Sequence, residues 1–304
     1  KVSHMFSAPT AIRVLRKQDP ALIAQYDLSS LQSLFLAGEP LDETTAQWIS
    51  GALNVPIIDN YWQTESGWPI LSIANGVQKQ ASKFGSPGLP TYGYDVKLID
   101  ESTGEALAGA NQKGVVVIEG PLPPGCMQTV WRDDARFVNT YWKSIPGKLV
   151  YNTFDWGVRD EDGYFFILGR TDDVINVAGH RLGTREIEES ITSHPSVAEV
   201  AVVGVADALK GQVAMAFAVL KDPSQTPDEA SRLTLEGDIM ALVDKQLGAV
   251  ARPARVRFVS TLPKTRSGKM LRRAMQAVCE GRDPGDLTTM EDPAALEQIK
   301  QLVV

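Results

Sequence analysis

Three stretches of this sequence collect side chains able to grip an anion or a hard cation. The segment Asp59-Asn60-Tyr61-Trp62-Gln63-Thr64-Glu65-Ser66 offers an acidic acceptor, two adjacent aromatics, a hydroxyl and a second carboxylate. That set can stack a purine, cover a small apolar group, bond a phosphate and hold a cation through oxygen. It is equally a polar loop at a strand end with no ligand. In the segment from Gly169 to Glu188, Arg170 and Arg181 flank the acidic pair Asp172-Asp173. A guanidinium stays charged and donates through a planar fork, which suits phosphate or a ribose hydroxyl. Surface arginines on a tight hairpin satisfy the same pattern. The third stretch, Thr261-Leu-Pro-Lys-Thr-Arg-Ser-Gly-Lys269, puts a lysine behind a Ser-Gly turn, on a loop at the start of a helix.

Each stretch needs a frame. Leu31 to Ala37 is apolar enough for a buried strand, and Gly38-Glu39-Pro40-Leu41 breaks it. A helix from about Asp42 and a second strand, Val55 to Ile58, follow. Strands alternating with helices predict an α/β layer whose ligand sites lie at the carboxyl ends of the strands. The Gly38-Glu39-Pro40 and Asp59–Ser66 loops stand at those ends. Lys83 to Pro90, Tyr94 to Asp100 and Gly114 to Glu119 read as turn, strand, loop, strand, with Gly and Pro serving turn geometry. Leu122-Pro-Pro-Gly125 and Trp131 to Lys143 read as surface loop and helix, and the stretch from Tyr151 carries Asp155 on a hairpin edge. Tyr164–Leu168 and Val174–Val177 are expected to pair as a hairpin, with Ala178 to Gly183 a loop. Thr184 is the expected N-cap of a helix with carboxylates in its first turn, stopped by Pro195. Strands Val197–Val205 and Val213–Leu220 and a helix from Ser231 to Gln246 complete a compact α+β domain. His194, a lone histidine before proline, reads as a helix-end residue or a metal ligand.

A chain of 304 residues has room for two domains, and 43% hydrophobic with 22% charged residues is an ordinary globular composition. No apolar run approaches ~18 residues and no leader is evident, so the reading is cytoplasmic, with no membrane partner. Cys126 and Cys279 lack metal-ligand spacing and read as reduced thiols. The net charge of −7 argues against a nucleic-acid partner, yet Arg252 to Arg273 holds eight basic residues and no acidic one. Such a block is a solvated face or an anion site.

The pattern Gly-Arg-x-Asp-Asp-x-Ile-x-x-x-Gly-x-Arg-Leu-x-x-x-Glu-Ile-Glu, from Gly169, resembles the hinge motif of the adenylate-forming enzymes, which include acyl-CoA synthetases, peptide-synthetase adenylation domains and luciferases. Asn176-Val-Ala-Gly-His-Arg-Leu182 and Trp62-Gln-Thr-Glu65 are similar to the acetyl/propionyl-CoA synthetase branch, and the resemblance extends over nearly the whole chain. It implies AMP-forming ligation of a short carboxylate, propionate preferred, to coenzyme A through an acyl-adenylate, using ATP and Mg2+. It implies adenine contacts from Gly38, Glu39, Pro40, Asp59 and Tyr61, with Asn60, Trp62 and Gln63 in the same nucleotide site. Thr64 would hold phosphate and Glu65 Mg2+. Asp155, in Thr153-Phe154-Asp155 where the family usually has Thr-Gly-Asp, would bond the ribose with Arg170, and Arg181 phosphate. Ala37, where acetate-specific members usually carry Val, and Trp62 would line the acyl pocket.

Ala178 and Gly179 would meet coenzyme A. Asp172 would be the hinge of a mobile C-terminal domain. Lys269 would bond acyl carboxylate and α-phosphate, and would be the target of a lysine acyltransferase and deacylase. The family sometimes places Mg2+ on groups matching Thr192, His194 and Val197. The expected fold is α/β: residues 1–171 the remainder of the large domain (a parallel-sheet layer plus a small β-barrel-like subdomain), then a small α+β domain, residues 172–304. The tail from Gly281 resembles the extension of the propionate branch, without chemistry of its own. Ala8-Pro-Thr-Ala-Ile-Arg13 resembles an internal helix start, and no Ser/Thr/Gly-rich phosphate loop precedes it. The expectation is a C-terminal piece of a longer enzyme, inactive alone. Acetyl-CoA synthetase, an adenylation domain serving a carrier protein, a nucleotide-binding regulatory fragment and a nucleic-acid binder are the alternatives.

Overall fold

The structure, a computed structural model, describes residues 1–303 apart from Pro40, Pro146, Pro227 and Ser267. Two compact units divide the chain, Lys1–Ile167 and Leu168–Val304.

The first unit opens with β1 (His4–Ser7), α1 (Pro9–Arg16), α2 (Ala21–Ala24), β2 (Ser33–Ala37), α3 (Glu43–Leu53) and β3 (Ile57–Asn60). The strands form a parallel sheet in the order β1-β2-β3. Asp42 starts α3 by accepting the Thr45 N–H at 2.8 Å, and Asn54 closes it in the left-handed region at φ 51°. Leu34 and Leu36 face α1 and α3 in a core with Ile12, Ala46 and Ile49. Phe35 turns to the other side of the sheet, towards Ile58, Ile73 and Tyr164, as the period of two requires.

Next come β4 (Leu71–Ser72) and β5 (Leu89–Pro90), then β6 (Asp95–Ile99), β7 (Lys113–Glu119), α4 (Asp134–Phe137), a π-helical turn Val138–Trp142, β8 (Val150–Arg159) and β9 (Phe165–Arg170). The β6-β7-β8-β9 meander is antiparallel through its first three strands. It occupies the place of the expected barrel-like subdomain, and β9 runs on into the second unit.

The second unit continues from a 3-10 turn, Thr171–Asp173, into β10 (Ile175–Val177), β11 (His180–Leu182), α5 (Thr184–Thr192), β12 (Val197–Asp207), β13 (Gly211–Leu220), α6 (Glu229–Leu247), β14 (Arg255–Phe258), α7 (Arg272–Cys279) and α8 (Pro293–Val303). The sheet order is β11-β10-β13-β12, with β14 parallel to β13. Alternation in β12 and β13 sorts the core into two layers. Val200, Val202, Ala214, Ala216 and Ala218 meet Ile187 and Ile191 of α5 and Ile239 and Val243 of α6. Ala201, Val203 and Phe217 meet Met275 of α7 and Leu296 and Ile299 of α8.

Several local expectations need correction. The hairpin is β10 with β11, whereas β9 lies beside β8. Residues 180–182 are therefore strand, and only Ala178-Gly179 turns, with both φ values positive at 48° and 84°. That is the geometry a two-residue turn needs to follow strand twist. Gly183 rather than Thr184 is the N-cap of α5, and Thr184 is buried as the first helical residue. The helix after Lys269 begins three residues later, at Arg272. Residues 131–143 are largely exposed and helical from Asp134 to Trp142, with Tyr141 and Trp142 packed on Tyr151 and Phe137 against Tyr141.

Candidate functional site

The parallel sheet of the first unit presents Ala37 at the end of β2, Gly38 and Glu39 after it, and Asp59 to Trp62 across the end of β3. From there the chain makes an excursion closed by Tyr61, whose N–H donates to Leu71 O at 3.0 Å while its carbonyl accepts from Ile70 N–H at 2.8 Å. Ser66 ties the excursion internally, its single hydroxyl proton within reach of Gln63 O at 2.9 Å and Trp68 O at 2.8 Å. Trp62 sits edge-on to Phe6, 6.4 Å between centroids. Thr64 is exposed, and Ala37 is buried at the strand end.

The centre of this arrangement is buried Asp155. Its Oδ2 accepts the Tyr61 hydroxyl and the Gln63 side-chain N–H, the latter at 2.8 Å. The Gln63 amide also donates to Thr153 O at 2.6 Å and accepts the Tyr151 hydroxyl at 3.3 Å. Burial pushes the Tyr151 phenol far above its ordinary range, with the negative charge of Glu65 adding to it, so this hydroxyl is a neutral donor. Asp155 is aimed by a bulge: Val116 faces Asp155 and Val117 faces Asn152, leaving Thr153 and Phe154 unmatched. Phe154 takes φ 59° there, a conformation in which glycine is unstrained.

Two residues expected at the nucleotide have side chains committed to the frame. Asn60 is buried, donates to Leu36 O and Ile58 O at 3.0 Å each and accepts from Ser72 at 2.6 Å. Glu39 accepts the Thr10 N–H at 2.8 Å and Arg13 Nη1 at 2.8 Å, docking α1 on the strand-end loop. Pro40 lies outside the described residues. Sequence reasoning missed Arg13, Tyr141 and Tyr151. The four-residue spacing of Phe137 and Tyr141 was a visible signal of one packed face, but its partner lies elsewhere in the chain.

In the second unit the Gly169–Glu188 stretch and the Lys269 segment meet through charge. Arg272 makes a two-pronged pair with Glu188, Nη2 at 2.9 Å from each oxygen, and stands 3.9 Å from Asp173. Arg273 pairs with Asp172, and Arg170 Nε lies 3.5 Å from the other Asp172 oxygen. Burial pushes the Glu188 carboxyl up, opposed by Arg272 and by the Val202 N–H. Burial and the Asp172 charge likewise outweigh Arg272 and raise Asp173.

Lys269 is exposed. Its loop is held by Thr265, whose N–H donates to Lys269 O at 2.8 Å and whose hydroxyl accepts the Lys269 N–H at 3.0 Å. Ser267 lies outside the described residues. The tail grips the same loop: Arg266 N–H donates to Thr289 O and Glu291 N–H to Lys264 O, at 3.1 and 2.9 Å. Of the eight basic residues in the block, Arg252, Lys264, Arg272 and Arg273 pair with Asp244, Glu199, Glu188 and Asp172. Half the apparent field is thus neutralised within the fold. Arg181 faces Asn176 across the β10–β11 hairpin, whose exposed tip is Ala178-Gly179.

Among the described residues no group of three or more His, Cys, Asp or Glu is placed to hold a metal ion. Thr192 donates to Glu188 O at 2.7 Å, His194 Nδ1 accepts the Ser196 N–H at 3.3 Å, and Val197 is buried in the core at the start of β12. This trio offers no carboxylate, so a Mg2+ there would have to rest on main-chain carbonyls. Glu65 does fit, as one carboxylate sharing a cation with substrate phosphates. Its Oε1 accepts the Tyr141 hydroxyl at 2.9 Å, and its own carbonyl accepts the Met127 N–H at 2.6 Å.

Residues 1–131 match the family described as AMP-binding enzyme, and residues 186–269 match the AMP-binding enzyme C-terminal domain. The chain belongs to the AMP-binding, or adenylate-forming, enzymes. It is 67% identical over 301 residues to the propionate–CoA ligase of Escherichia coli (strain K12), covering 99% of this chain and 48% of that protein. Against the acetyl-coenzyme A synthetase of Pyrobaculum arsenaticum it is 41% identical, covering 99% of this chain and 44% of that one. The chain spans about half the length of these curated relatives. Among solved structures, an anthranilate–CoA ligase in complex with anthranoyl-AMP superposes with a TM-score of 0.72 at 29% identity, over 88% of this chain and 48% of that one. The amide bond synthetase McbA from Marinactinospora thermotolerans gives 0.75 at 28% identity, over 91% and 52%.

Proposed function

We propose that this chain belongs to an AMP-forming propionate–CoA ligase. The observation that carries this reading is the 67% identity to a propionate–CoA ligase over 99% of the chain. In the first step a propionate oxygen attacks the α-phosphorus of ATP, an acyl–phosphate bond forms, and the bond to pyrophosphate breaks. In the second the thiol sulfur of coenzyme A attacks the acyl carbon, the bond to AMP breaks, and the thiol proton is lost.

The resemblance assigns Gly38, Glu39, Pro40, Asp59 and Tyr61 to adenine, Asp155 with Arg170 to the ribose, and Thr64 and Arg181 to phosphate. Mg2+, held by Glu65, neutralises phosphate charge when bound. Ala37 and Trp62 bound the acyl group, and coenzyme A passes the Ala178-Gly179 tip, where glycine leaves room for close approach. Positioning and fixed charge supply the catalysis. The enzyme is placed in the cytoplasm on its resemblance alone. No helix among the described residues is long and apolar enough to cross a membrane. An exposed Lys269 is also accessible to a lysine acyltransferase and deacylase, and acylation would remove its charge.

Thioester formation by the intact enzyme from ATP, free coenzyme A and propionate tests the reading, and transfer only to a carrier protein would overturn it. The separate roles of the hinge and Lys269 have their own test. Lys269→Ala is expected to abolish propionate-dependent ATP–pyrophosphate exchange while sparing thioester formation from supplied propionyl-adenylate. Equal loss of both half-reactions would refute rotation about Asp172.

A further inference from the structure

We infer that Tyr141 is the positioning residue of Glu65, an inference that rests on the reading of Glu65 as the cation-holding carboxylate. A glutamate has three side-chain torsions, and ordering it costs side-chain entropy. Glu65 stands half-buried on the Tyr61–Leu71 excursion, where the Met127 N–H holds its backbone. Its side chain is ordered through one oxygen, by the Tyr141 hydroxyl at 2.9 Å. A hydrogen bond to an ionised acceptor is about twice as strong as a neutral one, and using Oε1 alone leaves Oε2 to a ligand.

Tyr141 is itself packed among three rings. Its ring lies parallel to Tyr151, 5.4 Å between centroids and 5° between planes, with Phe154 edge-on at 6.0 Å and Phe137 at 5.7 Å. The π-helical turn Val138–Trp142 that carries it is a local distortion of the kind found at functional sites. Tyr151, the other member of the stack, reaches Gln63 and through it Asp155. One aromatic stack therefore sets the geometry of both carboxylates of the site, Glu65 at one end and Asp155 at the other. Apolar packing alone would be served by phenylalanine; the hydroxyl is what reaches Glu65.

The test uses the intact enzyme, with Mn2+ as a spectroscopic stand-in and a non-hydrolysable ATP analogue. Electron paramagnetic resonance gives the Mn2+ dissociation constant at saturating analogue, and calorimetry gives analogue affinity without metal. Tyr141→Phe keeps the ring and its stack. It is expected to weaken Mn2+ about tenfold or more, the usual consequence of losing an outer partner of a metal ligand, with metal-free analogue affinity unchanged. Parallel loss of both affinities would reduce Tyr141 to a structural residue and overturn the inference. Mn2+ affinity intact in Tyr141→Phe but lost in Glu65→Gln would overturn it while leaving Glu65 in place. Affinity intact in both variants would remove the Glu65 reading itself.

Discussion

Ala37 is the residue at which the proposed acyl pocket can be tested. It is the last residue of β2 and is buried, on the sheet face shared with Phe35 and opposite Leu34 and Leu36. In the intact enzyme Ala37→Val is expected to shift preference from propionate towards acetate by about 10–200-fold in the ratio of kcat/KM values, the worth of one methylene in an apolar pocket. An unchanged ratio across acetate, propionate and butyrate would show that Ala37 does not set the pocket's depth. Phe154 makes the converse point. At φ 59° any side chain is strained by about 1–2 kcal/mol, and Phe154 is retained there with its ring against Tyr141. Phe154→Gly is therefore expected to be more stable than Phe154→Ala by about 1 kcal/mol in denaturant unfolding, reversing the order usual inside a strand. The usual order would mean that the bulge relaxes instead.

Between elements, the Arg272 guanidinium ties the N-terminus of α7 to α5 through Glu188 and to the 3-10 turn through Asp173. The Lys269 loop immediately before α7 is thereby referenced to the proposed hinge. Removing one member of a buried pair costs about 3–5 kcal/mol because the other charge is stranded, so Arg272→Met should cost about that much at neutral pH. The sign of its pH dependence follows from Glu188, whose carboxyl burial already raises. A raised carboxyl is stable in the folded state while protonated and loses that stability as pH rises. The loss in Arg272→Met should therefore be largest at pH 7–8 and shrink below about pH 5, and Glu188→Gln added to it should recover most of the neutral-pH deficit. A loss independent of pH in urea titrations would contradict this account. The tail acts at this scale too, since Thr289 and Glu291 bond the Lys264–Arg266 backbone and hold the Lys269 loop from outside.

Over the whole molecule, acid stability follows from carboxyls held below their ordinary range. Burial alone would raise Glu39, but Arg13 and Thr10 outweigh it; at Asp42 the Thr45 N–H and Arg13 do so, and at Asp160 the Lys83 ammonium. A depressed carboxyl contributes stability above its unfolded value and loses it as pH falls through the folded one. Thermal unfolding is therefore expected to be insensitive to these groups between pH 6 and 8 and to move to lower temperature below about pH 4. Arg13→Met should lower Tm at pH 7, by an effect of up to about 1 kcal/mol for so exposed a pair, with little further effect at pH 3. An equal deficit at both pH values would exclude the ion pairs as its cause.

Much of this was legible in the chain itself. Short apolar runs marked β2, β12 and β13, turn residues marked the end of β2, and the three polar stretches stood out because they carry chemistry on short, locally determined segments. Local sequence also explains the cap at Asp42 and the positive φ values at Ala178 and Gly179 once their turn is known. Pairing was another matter. Residues 174–177 were expected to join the strand before them, and only the assembled sheet selected β11. The commitment of Asn60 and Glu39 to the frame, the neutralisation of half the basic block and the descent of Tyr141 onto Glu65 link residues 12 to 101 positions apart. Contacts of that range depend on which surfaces the core brings together, so the side-chain types state what chemistry is available and the tertiary packing decides which groups remain to perform it.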